Sequence, residues 1–249
     1  MLRLLSVAVL SLTAVAATAL EPRRVYAYVY DLDTDKYLYT EVHDQQFDPN
    51  RGAVTSTIHY VMPDGLEFGR KTIDFSQDSL VPVYRLEMTR EGYVEGITDN
   101  AGAIAMLRQR PGSAPETESL PKEGLLAADA GLMRLLQANF DKLSAGETVN
   151  FRVIAPSRLS AYKFKAKRID DTTFEGKPAS RVQVDMDSML KLFAGPLIFT
   201  FDRDRHLCEF RGPTNVRNPA TGKDYAVRLA FYSRLPEGVT LPALPEARR

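Results

Sequence analysis

The chain has 249 residues, of which 44% are hydrophobic, and it carries 32 basic and 32 acidic side chains. Nucleic-acid binding needs a basic surface that neutralises phosphates, so this charge balance argues against nucleic acid as a partner. The single cysteine, Cys208, excludes a disulfide bond within the chain.

The first 19 residues have the pattern of a signal peptide. Arg3 precedes an apolar run over residues 4–17, and the run ends in the small-x-small motif A-T-A. We therefore expect cleavage before Leu20 and export to the periplasm. The apolar run is too short for a membrane span, and no later segment approaches the roughly 18 apolar residues that a span requires. The sequence thus predicts no transmembrane segment.

Residues 24–110 predict a series of antiparallel β-hairpins. The segment RVYAYVY (24–30) alternates small aliphatic residues with tyrosines, which is typical of a strand with one aromatic face. Pro-Asp-Gly at 63–65 suits a hairpin turn. The turn after the first strand has Asp at every second position, as calcium loops do. However, Lys36 occupies the position of the required glycine, so we interpret this segment as an Asp-rich turn.

A composition shift and a helical pattern follow the hairpins. Residues 111–124 are rich in Pro, Ser and Glu and predict a loop-like linker. Residues 125–145 predict the main helix, with Asp129 as its N-cap and Gly146 as its left-handed C-terminal cap. The apolar residues that recur at helical spacing are Met133, Leu136, Phe140 and Leu143.

Residues 147–233 predict a second series of hairpins, which completes a single β-rich domain over residues 20–235. In one of these strands apolar residues alternate with Lys163, Lys165 and Lys167, which predicts a half-buried strand with a basic outer row. Residues 188–195 predict a second, short apolar helix. Residues 236–249 form a Pro-rich tail.

The sequence lacks the common catalytic motifs, namely GxSxG, HExxH, GxGxxG and CxxC. Ser160 and Lys163 match S-x-x-K, but the strand pattern places them on opposite faces. The three histidines, His43, His59 and His206, form no local pair of metal ligands. We therefore predict no catalytic residue, no metal site and no cofactor. A hydrolase with an unrecognised site is an open alternative, because catalytic groups can converge from distant strands.

The order of elements from Asp129 to Tyr232 resembles a group of uncharacterised bacterial periplasmic proteins. Their shape is similar to that of lipoprotein carriers and lipoprotein receptors. The segments that carry the resemblance follow the predicted helix and read GETVNFRVIAPSRLSAYKFKAKRI, FEGKPASRVQVDM and LIFTFDRDRHLCEFR. The resemblance implies a curved antiparallel sheet or half-barrel, with an apolar concave face, around one main helix. The carriers lack so long a hairpin array before the helix, and their lipid-binding positions do not map onto this chain.

These observations favour a mainly β protein that binds or carries an apolar small molecule or lipid without catalysis. In one alternative, the helix fills the concave face and leaves no room for a ligand. In another, the protein is a structural or protein-interaction component of the cell envelope, and its strand edges or basic row contact an envelope partner. The side chains expected to face the ligand are Phe151, Tyr162, Phe164, Phe199, Phe201 and Phe231.

Overall fold

The computed structural model describes residues 20–187 and 195–242. The predicted signal peptide, residues 188–194 of the predicted short helix and residues 243–249 of the tail lie outside the described residues.

The described residues contain one 15-stranded sheet and two short α-helices, which confirms the prediction of a mainly β fold. The helices are α1 (Gly131–Ala138) and α2 (Phe140–Ser144), and a 3-10 turn spans Pro156–Arg158. The strands are β1 (Glu21–Asp31), β2 (Tyr37–Asp48), β3 (Gly52–Val61), β4 (Glu67–Asp74), β5 (Val83–Met88), β6 (Tyr93–Asp99), β7 (Ile104–Gln109), β8 (Glu116–Leu120), β9 (Leu126–Ala128), β10 (Val149–Ala155), β11 (Ser160–Phe174), β12 (Lys177–Met186), β13 (Leu197–Asp202), β14 (Leu207–Arg217) and β15 (Asp224–Ala230).

The sheet consists of two arrays of neighbouring strands joined in the middle. Strands β1 to β8 pair in sequence order, and so do β9 to β15. The arrays meet where β1 pairs antiparallel with β15, with Tyr28 opposite Ala230. β9 pairs parallel with β10, and all other neighbouring strands are antiparallel. Among the described strands, β8 and β9 form the two edges, so the sheet is open and curved.

The predicted linker over residues 111–124 contains a strand. β8 pairs with β7, and Ile104 lies opposite Leu120. The central residues of β8 are exposed. An edge strand pairs on one side only and can carry polar side chains. Composition alone therefore indicated a loop where the chain adds an edge strand.

The predicted helix over residues 125–145 is divided into three elements. Residues 126–128 form β9 and are buried. Asp129 has φ 46°, a left-handed conformation, and the N-cap of α1 is Ala130 with no side-chain hydrogen bond. The prediction of Asp129 as N-cap is wrong, because its carboxylate bonds to Lys71 and to the adjacent amide of Ala130. A break at Asn139, with φ −105°, separates α1 from α2.

Gly146 follows α2 with φ 85°, the left-handed conformation expected at this C-terminus. Its amide donates to the Leu143 carbonyl, and the Glu147 amide donates to the Lys142 carbonyl. These bonds satisfy carbonyls that the end of a helix leaves without partners.

Two clusters of buried apolar residues form the core. The first lies mainly between the strands of the N-terminal array and includes Tyr39, Phe68 and Leu86. The second joins the helices to β10–β13, and in it Leu135, Leu136 and Leu143 are completely buried. Each fully buried leucine contributes about 1.5–3 kcal/mol, so the second cluster holds both helices against the C-terminal array. Met133 and Phe140 pack partly buried against the same cluster.

Candidate functional site

A cavity of about 1,100 Å³ lies beside α1 and between the two strand arrays. Its volume is slightly above the range typical of small-molecule sites, about 300–1,000 Å³. Leu132 and Met133 of α1 form part of its wall. The helix therefore borders the open space.

The C-terminal array gives the cavity an apolar wall. Leu229 of β15 lies opposite Phe210 of β14, and Phe210 lies opposite Phe199 of β13. Residues opposite each other on neighbouring strands point to the same face. The Phe199 and Phe210 rings are 5.1 Å apart between centroids. Phe231, just after β15, extends this wall, and all four side chains line the cavity.

A buried polar network forms another part of the wall. Lys71 of β4 donates through Nζ to Asp129 Oδ2 at 2.6 Å and to Asn215 Oδ1 at 3.4 Å. Asn215 Nδ2 in turn donates to Asp129 Oδ2 at 3.0 Å and to Glu95 Oε1 at 2.9 Å. The Tyr93 hydroxyl donates to Glu95 Oε2 at 2.6 Å. We call these five residues the buried network.

Burial controls the protonation of this network. It raises the pKa of Glu95, which is 2% exposed, although hydrogen bonds from Tyr93 and Asn215 act in the opposite direction. Burial also raises the pKa values of Tyr60 and Tyr84, which line the cavity next to the network. The tyrosines are therefore neutral donors and acceptors at physiological pH.

The buried network was not predicted from the sequence, although the strand positions of two of its residues were recognisable. Lys71 has the same strand parity as Ile73 and Phe75, so alternation places a lysine on an otherwise apolar face. Glu95 likewise lies on the same face of its strand as Tyr93 and Ile97. The contacts of Lys71 with Asp129 and Asn215 span 58 and 144 residues, and no local pattern reports them.

The six predicted ligand-facing residues do not all line one cavity. Phe199 and Phe231 line the large cavity, and Phe164 lines a smaller one of about 250 Å³. Phe151 and Phe201 are buried in the second apolar cluster. Phe151 stacks on Phe164 with centroids 6.3 Å apart, and Phe201 contacts Phe140 edge-on at 5.7 Å. Tyr162 lies half-buried opposite Val153 and lines neither cavity.

Each histidine has an acidic neighbour. His43 Nε2 lies 2.9 Å from Glu41 Oε2, and both residues line the cavity. His59 Nδ1 lies 2.9 Å from Glu67 Oε2.

The third histidine, His206, lies in a turn with Asp202 and Asp204, where the nearest side-chain atoms are within 4.8 Å of one another. Asp202 Oδ1 accepts from the His206 amide at 2.8 Å. Turn formation therefore accounts for this arrangement.

Lys165 of the basic row and the neighbouring Arg168 form surface ion pairs, whereas Cys208 is half-buried and lines the large cavity. Lys165 lies 3.7 Å from Asp187, and Arg168 pairs with Asp171. Burial raises the pKa of the Cys208 thiol to about 11, so the group is protonated and weakly nucleophilic at neutral pH.

No protein-family model matches the chain, and no curated protein matches it. Among solved structures, the chain is similar to the crystal structure of a beta-barrel-like protein of the domain of unknown function DUF1849 from Brucella abortus. The TM-score is 0.51 with 11% identity, over 87% of this chain and 100% of the other. MucB aligns with a TM-score of 0.26 and 8% identity, over 88% of this chain and 57% of that one. The first similarity supports a barrel-like fold. Within the described residues no helix is both long and apolar enough to cross a membrane.

Proposed function

We propose that this protein is an exported, periplasmic binding or carrier protein for an apolar or lipid-like ligand, and that the ligand occupies the large cavity. The sheet then acts as a half-barrel, with α1 forming one side of the binding site. The observation that carries the proposal is the cavity of about 1,100 Å³ between two separate apolar clusters. Concave sites of about this size, open to solvent on one side, are where proteins bind small apolar ligands.

The chemistry of the wall supports an apolar ligand. Phe199, Phe210 and Leu229 form a continuous row across three strands. Ligand sites typically combine hydrophobic and aromatic side chains with polar groups that orient the ligand. This apolar row is one part of a lining that also includes many polar and charged side chains. The N-terminal signal pattern and the resemblance of the C-terminal half to uncharacterised periplasmic half-barrel proteins support the location.

Occupancy can be tested with a variant that fills the cavity. Val25 is half-buried on β1 and lines the cavity, so Val25→Trp projects a bulky ring into the space. We expect native mass spectrometry of the wild-type protein to show a lipid adduct, and a fluorescent fatty acid to bind with saturation. In Val25→Trp we expect the adduct to disappear and probe affinity to fall about tenfold or more, since steric exclusion removes much of the buried contact.

The matched control is Ile169→Trp, which adds the same ring at a strand position that is 42% exposed and outside the cavity. This variant should bind the probe as the wild type does. If the wild type carries no lipid and takes up no probe, the binding proposal is wrong. Equal probe affinity in the two tryptophan variants would place the ligand elsewhere.

A further inference from the structure

Arg134 brings a positive charge to the cavity wall without a carboxylate partner among the described residues. Its Nη2 donates to the carbonyl of Ala53, and its Cζ lies 3.7 Å above the centroid of the Phe75 ring. Burial lowers the pKa of Arg134, and the nearby charge that adds to this effect is another cation, Arg51. A half-buried cation without a counter-ion is costly, and a bound anion would offset that cost.

Ser56 supplies a second, independent observation. Its side chain is 5% exposed and lines the same cavity. Its Oγ is fully buried and has no hydrogen-bond partner among the described residues. The large majority of buried polar side-chain atoms in proteins are hydrogen-bonded, so the Ser56 hydroxyl is available to donate to a ligand that reaches this wall. A serine hydroxyl can donate to an anionic oxygen.

Strand register brings further polar groups to the same corner. Arg23 of β1 lies opposite Gln45 of β2, Gln45 opposite Ser56 of β3, and Ser56 opposite Ile73 of β4. Opposite residues share a face of the sheet, and all four line the cavity. Arg134 contacts two segments near this row. It bonds to Ala53 of β3, three residues before Ser56, and lies over Phe75, which directly follows β4 and is two residues after Ile73.

Two acidic side chains of the cavity wall have basic neighbours. Glu41, four residues before Gln45 on β2, lies 2.9 Å from His43. Asp129 lies 2.6 Å from Lys71. Of the four side chains of the corner, Arg134, Ser56, Gln45 and Arg23, two are cationic and none is acidic.

We propose that this cationic corner binds the anionic head group of an amphipathic ligand, a carboxylate or a phosphate, while the ligand's acyl tail lies along the wall of Phe199, Phe210 and Leu229. The inference rests on the proposed function and specifies its ligand class. Arg134 forms charge-assisted hydrogen bonds to the head group, and Ser56 donates a further one. The buried network lies farther along the cavity and stays intact when the ligand binds.

The test compares three ligands that share one tail: dodecanoate, dodecyl phosphate and dodecanol. Titration calorimetry gives their affinities for the wild-type protein. A charge-assisted hydrogen bond contributes roughly 1.5–3 kcal/mol, so we expect at least one anion to bind about tenfold or more tightly than the alcohol. The tighter anion identifies the head group. Equal affinities for all three ligands would overturn the cationic corner and leave the apolar cavity in place. If none of the three binds, the proposed function fails as well.

Single substitutions test whether Arg134 and Ser56 cause the preference for anionic ligands. Arg134→Gln should lower anion affinity about tenfold or more and leave dodecanol binding within about twofold. Arg203→Gln removes the same charge from an exposed turn outside the cavity and should keep the preference for anions. If Arg134→Gln does not fold, Arg134→Lys should retain the preference and Ser56→Ala should lower anion affinity about threefold or more. An unchanged preference in Arg134→Gln or in Ser56→Ala contradicts the assignment.

Discussion

Lys71 and Asp129 place opposite charges in a buried position, with side-chain exposures of 8% and 7%. Removing one partner of a buried pair leaves an uncompensated charge, which typically costs about 3–5 kcal/mol, whereas exposed pairs contribute less than about 1 kcal/mol. Asp129 has a left-handed backbone conformation at the junction of β9 and α1, where it makes this pair.

Asp129→Asn is therefore expected to lower the free energy of unfolding by about 3–5 kcal/mol. Asparagine tolerates the left-handed conformation, so the backbone does not confound the result. Urea denaturation measures the change. The control is Glu87→Gln, in an exposed pair with Arg85, which should cost less than about 1 kcal/mol. Similar small losses in both variants would mean that the buried pair stabilises no more than a surface pair.

Glu95 makes stability depend on pH in a defined direction. Because burial raises its pKa, the folded protein keeps this proton at pH values where the unfolded chain has lost it. Its contribution is present below the unfolded value of 4.5 and is lost as pH rises through the raised folded pKa.

Glu95→Gln removes the titrating group, so its free energy of unfolding should gain on that of the wild type as pH rises from 4.5. Chemical denaturation at a series of pH values measures both curves. Parallel curves for the two proteins would contradict a raised pKa at Glu95.

At the scale of elements, the junction of β9 and α1 depends on close approach to the segment before β5. A Cβ at Gly131 would lie 1.9 Å from the Leu80 carbonyl oxygen. The same carbonyl accepts from the Ala128 amide at 2.9 Å, so the contact fixes both β9 and the start of α1. Only a residue without a side chain fits here.

Gly131→Ala should therefore destabilise the protein by about 2 kcal/mol or more, because backbone must move to admit the methyl group. Thermal unfolding provides the measurement. Gly102→Ala, at a position with open space around it, should change stability by less than about 0.5 kcal/mol. Equal melting temperatures for the two variants would rule out the packing constraint.

Elements with clear alternation or turn residues could be predicted from the sequence. The strands around Pro-Asp-Gly at 63–65 form the expected hairpin, as do β11 and β12. The break at Asn139 was missed because Leu136 and Leu143 pack into one cluster, so the apolar spacing continues across it. β8 was missed because its polar composition is that of an exposed edge.

At the scale of the whole molecule, the sequence does not predict the contacts between residues that are far apart in the chain. Pairing of β1 with β15 brings together residues about 200 positions apart, such as Tyr28 and Ala230. The cavity forms between these arrays, so side chains from both halves of the chain line it, such as Ser56 of β3 and Phe210 of β14. Alternation indicates which side chains share a face of one strand, but the curvature of the sheet decides which faces meet.

The chain contains no tryptophan, so a single introduced tryptophan reports the position of a bound ligand. The most direct test of the cavity assignment uses Phe210→Trp, in the apolar wall, and Ile169→Trp, on an exposed strand face. Each variant is titrated with dibromostearate, whose brominated acyl chain quenches a tryptophan that it contacts. We predict saturable quenching in Phe210→Trp and none in Ile169→Trp. Quenching of equal extent in both variants, or in neither, would contradict a tail bound along the Phe199, Phe210 and Leu229 wall.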